Sequence, residues 1–164
     1  MTRRLLAGLL ALAAALVLTG CSPTLSVQPA PQATSVGCAA LIVRLPPTLG
    51  TVSKRQTDSQ GTAAWGDPEA VQLRCGVTPP GPTTDFCETY GGVDWIRVDT
   101  GSGAATREQF TTFGRIPATQ VILDPRHTTE SDALPPISDA VSAAMPHATR
   151  HCTAPAAPSP GPSS

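Results

Sequence analysis

Apolar and polar residues alternate in short blocks along this chain, and the period of the alternation changes several times between Cys38 and Cys152. Cys38, Leu41, Ile42 and Leu45 recur at i, i+3, i+4 and i+7, which predicts a short amphipathic helix stopped by Pro46-Pro47. A polar stretch with one exposed strand over 51–56 follows, and Ala63-Ala64-Trp65 then runs into the turn Gly66-Asp67-Pro68. Val71, Leu73 and Cys75 alternate with polar neighbours, as a half-buried strand does, until Gly76 ends it. Pro79, Pro80 and Pro82 force an irregular loop as far as Cys87. Val93, Trp95 and Arg97 share one phase of a second strand and Ile96 and Val98 the other, with Gly101-Ser102-Gly103 closing it. Two further strands are expected over 109–113 and 118–123. Pro135-Pro136 precede Ile137, Val141, Ala144 and Met145, a second amphipathic helix with proline in its first turn. Strands joined by turns too short for helical crossovers predict an α+β fold: a small, mostly antiparallel sheet of four to five strands with two short helices.

The N-terminus follows a different rule. Arg3 and Arg4 give a positive start, and the apolar run from Leu5 to Leu18 is 14 residues long. A bilayer core needs about 20. A charged start and a short apolar run before small residues describe an export signal. Its end, Leu18-Thr19-Gly20-Cys21, resembles the bacterial lipobox, in which the cysteine is alkylated with diacylglycerol and the leader is cut before it. Thr2-Arg3-Arg4-Leu5-Leu6 partly matches a twin-arginine signal, but Ala7 stands where a basic residue belongs, so the general export route is expected. Two acyl chains anchor stably where one is marginal, which places the protein on the outer face of the cytoplasmic membrane. The expected organisation is a signal peptide over 1–20, acylated Cys21 with a flexible tether to residue 37, one domain over 38–152 and a disordered Pro/Ala/Ser tail over 153–164. The tether lacks charge and, fully extended, would reach on the order of 50 Å.

Composition narrows the rest. Charged residues make up 14% of the chain and aromatics 4%, while 18 Pro and 14 Gly punctuate it, which excludes long helices, coiled coils and repeat solenoids. The whole chain carries 11 basic and 12 acidic residues, and removing Arg3 and Arg4 leaves 9 basic. With a single lysine, Lys54, and scattered arginines there is no basic patch for nucleic acid or a polybasic stripe for anionic lipid. Five cysteines less Cys21 leave Cys38, Cys75, Cys87 and Cys152, an even set that reads as two disulfides on the exported side of a membrane. Spacing alone leaves all three pairings open. No two of them form the close pair of a structural zinc site, and no metal or other cofactor is expected.

Candidate chemistry is sparse. His127 lies near Asp124 and Glu130, but a hydrolase triad needs a nucleophile on a strained elbow and no Gly-x-Ser-x-Gly is present. His147 and His151 stand four apart beside Cys152, a metal-binding spacing on a helix that Pro146 interrupts. Gly101-Ser102-Gly103-Ala104 lacks the lysine of a phosphate loop and reads as a hairpin turn. Trp65 and Trp95 could stack on a sugar, but in a chain this poor in aromatics they read as core anchors.

The blocks Ala64-Trp65-Gly66-Asp67-Pro68, Leu73-Arg74-Cys75-Gly76-Val77, Gly92-Val93-Asp94-Trp95 and Phe113-Gly114-Arg115-x-Pro117 come in order after Cys38. Together they resemble the uncharacterised actinobacterial lipoprotein family of domain of unknown function 3515, over Cys38 to about Cys152. The resemblance implies an envelope location, and the family's frequent coding beside a cell-wall precursor ligase hints at envelope assembly. It also implies a pairing of Cys38 with Cys75, leaving Cys87 for Cys152. Gly91 departs from the asparagine that relatives often carry, and the loop bearing Cys87 varies among them.

Two functional classes follow. The first is a non-catalytic binding or assembly module that meets an envelope protein, a peptidoglycan fragment or lipid. The alternative is a hydrolase-like envelope enzyme acting on a cell-wall precursor, with Asp67, Asp94, Asp124 or His127 in a cleft. Trp65, Asp67, Arg74, Trp95 and Arg115 are read first as serving the fold, with the Asp67 carboxylate accepting backbone N–H groups in its turn, and otherwise as a candidate binding surface.

Overall fold

The computed structural model describes residues 24–153. The expected signal peptide over 1–20, Cys21 and the expected tail from Ala154 onward lie outside the described residues. The chain forms α1 (Val36–Ile42), β1 (Thr48–Leu49), β2 (Val52–Arg55), β3 (Thr62–Trp65), β4 (Val71–Val77), β5 (Cys87–Tyr90), β6 (Val93–Thr100), β7 (Arg107–Thr112), β8 (Ala118–Leu123) and α2 (Glu130–Ala144), with one 3-10 turn at Gly103–Ala105. The α+β class agrees with the alternation in the sequence, but the sheet has eight strands rather than four to five. Its order is β1-β2-β3-β4-β8-β7-β6-β5, and every neighbouring pair runs antiparallel.

Two meanders therefore meet in mid-sheet, where Leu73 of β4 faces Val121 of β8 and Val77 faces Ala118. We call the Val77–Ala118 side the upper end of the sheet and the Val71–Leu123 side the lower end. Residues directly opposite one another in a ladder share a face. Leu73, Val121, Phe110 and Arg97 thus share a face with Trp95, two residues from Arg97 on β6, and both helices pack over this face. Trp65, Trp95, Phe110, Leu73 and Leu123 meet Leu41 of α1 and Leu134 and Ile137 of α2 in one core.

Three departures have local causes. Helix α1 starts at Val36 because the Ser35 hydroxyl accepts the Cys38 N–H, and it ends at Ile42, ahead of the prolines. Helix α2 starts five residues before Pro135, capped by Thr129, whose hydroxyl accepts the Asp132 N–H, so the two prolines lie in its second turn rather than its first. The third is the expected tether. From Leu25 onward the chain lies against the domain: Leu25 donates to Gln56 at 2.9 Å and accepts from Asp58 at 3.2 Å, and Gln32 donates to the Gly76 carbonyl at 3.0 Å. Val27, Ala30 and Ala33, three residues apart, are buried along this strap. Gly76, at φ +93°, makes the approach feasible, since a Cβ there would collide with the Gln32–Ala33 backbone. A stretch without charge carries no ionic desolvation cost on leaving water, its backbone groups at Leu25 and Gln32 are met by the bonds above, and its spaced apolar residues gain by burial.

The four remaining cysteines pair as the resemblance implied, Cys38 with Cys75 and Cys87 with Cys152. The first ties α1 to β4. The second ties β5 to the segment after α2. Among the described residues no helix is long and apolar enough to cross a membrane.

Candidate functional site

Where charged residues enter the apolar phase of a strand they must find partners, and the densest such meeting is built on Arg97. It follows Val93 and Trp95 on the helix-covered face of β6 and lies over the Phe110 ring, 5.8 Å from its centroid. Its guanidinium reaches Glu108 of β7 at 2.9 Å, Asp99 at 3.1 Å and Glu130, the first residue of α2, at 3.2 Å, with Glu88 of β5 at 3.9 Å. Glu88 also accepts the Tyr90 hydroxyl at 2.7 Å. Burial pushes the Glu108 carboxyl above its ordinary range against the pull of Arg97, and Glu130, Asp99 and Glu88 push the same way. Burial and the neighbouring Glu88 push the Tyr90 hydroxyl up as well. A pocket of about 220 Å³ opens beside this cluster, between Arg97 and Glu108 on the sheet and Pro125, Thr129, Glu130 and Ser131 at the entrance to α2.

The second cluster is at the lower end. Asp124 is almost fully buried directly after β8; Arg126 donates to both its oxygens, at 2.9 and 2.6 Å, and Arg107 of β7 stands at 3.1 Å. The Arg126 side-chain bonds hold the Asp124 carboxyl far below the usual carboxylate range, against the cost of burial. His127 Nε2 lies 3.9 Å from the same carboxylate. Asp124 and His127 are thus neighbours, but the carboxylate is committed to two guanidinium groups.

The third pair is on the opposite face of the sheet. Asp94 is buried, accepts the Thr89 hydroxyl at 2.6 Å and the Cys152 N–H at 3.0 Å, and meets His151 Nδ1 at 3.1 Å. Burial raises the Asp94 carboxyl, but the Thr89, Cys152 and His151 bonds outweigh it and leave the group below its ordinary value. Helix α2 has ended before His147 and His151, so their spacing carries no helical metal face, and Cys152 is in a disulfide. Among the described residues no group of three or more His, Cys, Asp or Glu side chains is placed to hold a metal ion.

The residues singled out from the sequence are dispersed. Trp65 and Trp95 are fully buried, donating to the Pro46 carbonyl at 3.1 Å and the Ser138 hydroxyl at 3.0 Å. Arg115 is buried at the upper end and donates to the Met145 and Gly92 carbonyls, closing the end of α2 onto the β5–β6 turn. Arg74 faces away from the helices, on the phase opposite Leu73 and Cys75, with its Nε buried and without a hydrogen-bond partner. Asp67 departs from its reading as a turn-stabilising carboxylate: its side chain is 79% exposed and faces Arg55 at 3.5 Å. These five share no surface, since two lie in the core and the others are spread between the upper end, the open face and the lower end.

Arg97 was visible in the sequence as a charge in phase with Val93 and Trp95, and Glu108 as one in phase with Phe110. A charge on the core-facing phase of a strand is the signal that locates this site.

Comparison with known proteins adds a family. A family model described as Protein of unknown function (DUF3515) matches residues 4–150. No curated protein and no solved structure matches the chain. On the extent of that match, and with the sequence blocks that first suggested it now placed on β3, β4, β6 and the β7–β8 bend, the chain belongs to the DUF3515 family.

Proposed function

We propose that this protein is a lipid-anchored lipoprotein of the cell envelope, whose domain serves on the outer face of the cytoplasmic membrane as a non-catalytic binding or assembly module. The observation that carries the binding reading is that the ionised side chains engage one another. Arg97 meets four carboxylates, Asp124 meets two arginines, Asp94 meets His151, and Asp67 meets Arg55. A general acid or base must be free to exchange a proton with a substrate, whereas groups paired in this way shape and rigidify a surface. The anchor is supported by the apolar run and Leu18-Thr19-Gly20-Cys21. The natural partners on that side of the membrane are an envelope protein or peptidoglycan, met through the Arg97 pocket, which offers a planar cation ringed by carboxylates.

The enzyme reading has one observation in its favour, the Asp94–His151 pair, because a buried carboxylate orienting a 69% exposed histidine is part of many acid/base sites. Among the described residues no serine, threonine or cysteine side chain bonds to His151, and the pair has a structural duty in holding the C-terminal segment on the sheet.

Two measurements test the proposal. Cys21→Ala should abolish acyl labelling and leave the leader uncut; normal labelling and cleavage of the variant would refute the anchor. Capture from detergent-treated membranes with the intact protein should recover a partner that an Arg97→Ala variant of wild-type fold releases. Unchanged capture by that variant would remove the pocket from the reading.

A further inference from the structure

Building on the lipid anchor proposed above, we infer that the upper end of the sheet rests directly on the bilayer surface and that the Arg97 pocket is thereby held outward. The first observation is the length of chain between the anchor and the fold. Leu25 is fixed by its parallel bridge to Thr57 and by two backbone bonds to the 56–58 turn, and Val27 two residues on donates to the Asp58 carboxylate at 3.1 Å. Four Cα steps separate Cys21 from Leu25, and four steps reach at most about 14 Å. A headgroup layer is itself about 5 to 8 Å deep on each side, so a domain held this way cannot stand clear of the membrane.

The second observation is charge. The upper end is made by 24–37, the 56–61 turn, the 76–84 loop, the 91–92 turn, the 113–117 bend and 146–150, whose Asp, Glu, Lys and Arg residues are Asp58, Arg115 and Arg150, with Asp94 at the start of β6 and Asp139 of α2 beside the 91–92 turn. Arg115 is buried on carbonyls, and Asp58 is exposed but accepts the Val27 N–H and the Ser59 hydroxyl. At the lower end the loops 66–69 and 124–129 carry Asp67, Glu69, Asp124 and Arg126, and the strand and helix ends beside them carry Asp99, Arg107, Glu108, Glu130 and Asp132. Pressing ionised groups into a lipid interface costs solvation, and of the two ends the upper one carries fewer of them.

The third observation is what that end exposes instead. Val36 is 87% and Ile116 65% exposed, and they directly precede Gly37 and Pro117, which approach each other closely. A groove of about 340 Å³ beside Ile116 is walled by Pro79, Pro80 and Pro82, with Arg150 at its rim. Apolar side chains with one exposed arginine suit the acyl–headgroup boundary, the guanidinium meeting a lipid phosphate.

The test uses full-length, processed protein in phosphatidylglycerol/phosphatidylethanolamine vesicles doped with a headgroup-proximal nitroxide lipid. A fluorophore is attached to Ile116→Cys, Val36→Cys or Asp99→Cys, each at an exposed site. Quenching several-fold stronger at Ile116 and Val36 than at Asp99, falling to the Asp99 level when a fifteen-residue Gly/Ser spacer is inserted after Ser22, is the expected result. Acyl-labelled protein that quenches equally at both ends overturns the orientation and leaves the anchor standing. Protein that carries no acyl label and washes off the vesicles overturns both.

Discussion

Asp124 has exchanged almost all of its water for the guanidinium groups of Arg126 and Arg107. Replacing it with asparagine leaves two part-exposed cations facing a neutral amide at the lower end of the sheet, and losing charge-assisted bonds of this kind costs about 1 to 3 kcal/mol. The pH dependence has a definite sign. The folded-state pKa is lowered, so on acidification the unfolded chain takes up the proton first, near pH 4. The stabilisation is therefore complete above that pH and is lost as pH falls toward the folded value. Urea titrations of wild type and Asp124→Asn should give a constant gap between pH 7 and 5 that narrows below about pH 4. A gap that widens in acid would contradict the pairing. Trp65 and Asp67 share one sequence block and Trp95 belongs to another, and burial separates both tryptophans from the aspartate. Trp95→Ala removes a side chain packed on α2 and should cost about 3 to 5 kcal/mol, whereas Asp67→Ala loses an exposed contact and should cost under about 1 kcal/mol. Thermal melts that fell together for both would show that Asp67 has a role its exposure hides.

Among the elements, those with an audible period were the legible ones. β8 lies over the residues that the alternation marks out, and β4 and β6 extend past them by two residues at the C-terminal end. β3 was masked because Thr62, Ala63, Ala64 and Trp65 are all buried, so alanine on both phases leaves no contrast to read. β5 was hidden behind a proline-rich loop, and its four residues are held by pairing with β6 and by the Cys87–Cys152 bridge rather than by their own apolarity. The bridge also holds the segment after α2, which Thr149 fastens to the Gly114 carbonyl at 2.7 Å and Asp94 fastens at His151 and Cys152. A Cys87→Ser/Cys152→Ser variant should lose about 2 to 4 kcal/mol. Hydrogen exchange should then quicken first over 146–153 while α2 stays protected, and uniform quickening would mean that the segment and the helix open as one unit.

At the scale of the whole molecule, class and family could be read from the chain and Arg97 and Glu108 stood out singly as charges on an apolar phase, while the sites as assemblies could not be read, because each is built from distant strands. Glu88, Arg97, Glu108 and Glu130 meet only after β5, β6, β7 and α2 have come together. The strap over 24–35 was misread for a related reason. Its proline, glutamine and alanine content is that of a linker, and only the spacing of Val27, Ala30 and Ala33 against a surface not yet known to exist distinguishes it.

The meeting of the two meanders at β4 and β8 has a consequence in time. A chain delivered from its N-terminus completes β1 to β4 and brings Cys38 and Cys75 within one half before the partner of β4 has been made. Until Leu123 arrives, one border of β4 offers unpaired N–H and C=O groups along Val71–Val77, a template for any other extended chain. The half-built domain is thus most adhesive where the finished one is most secure, and β8, made only after residue 117, acts on the first half as a guard that closes its exposed border.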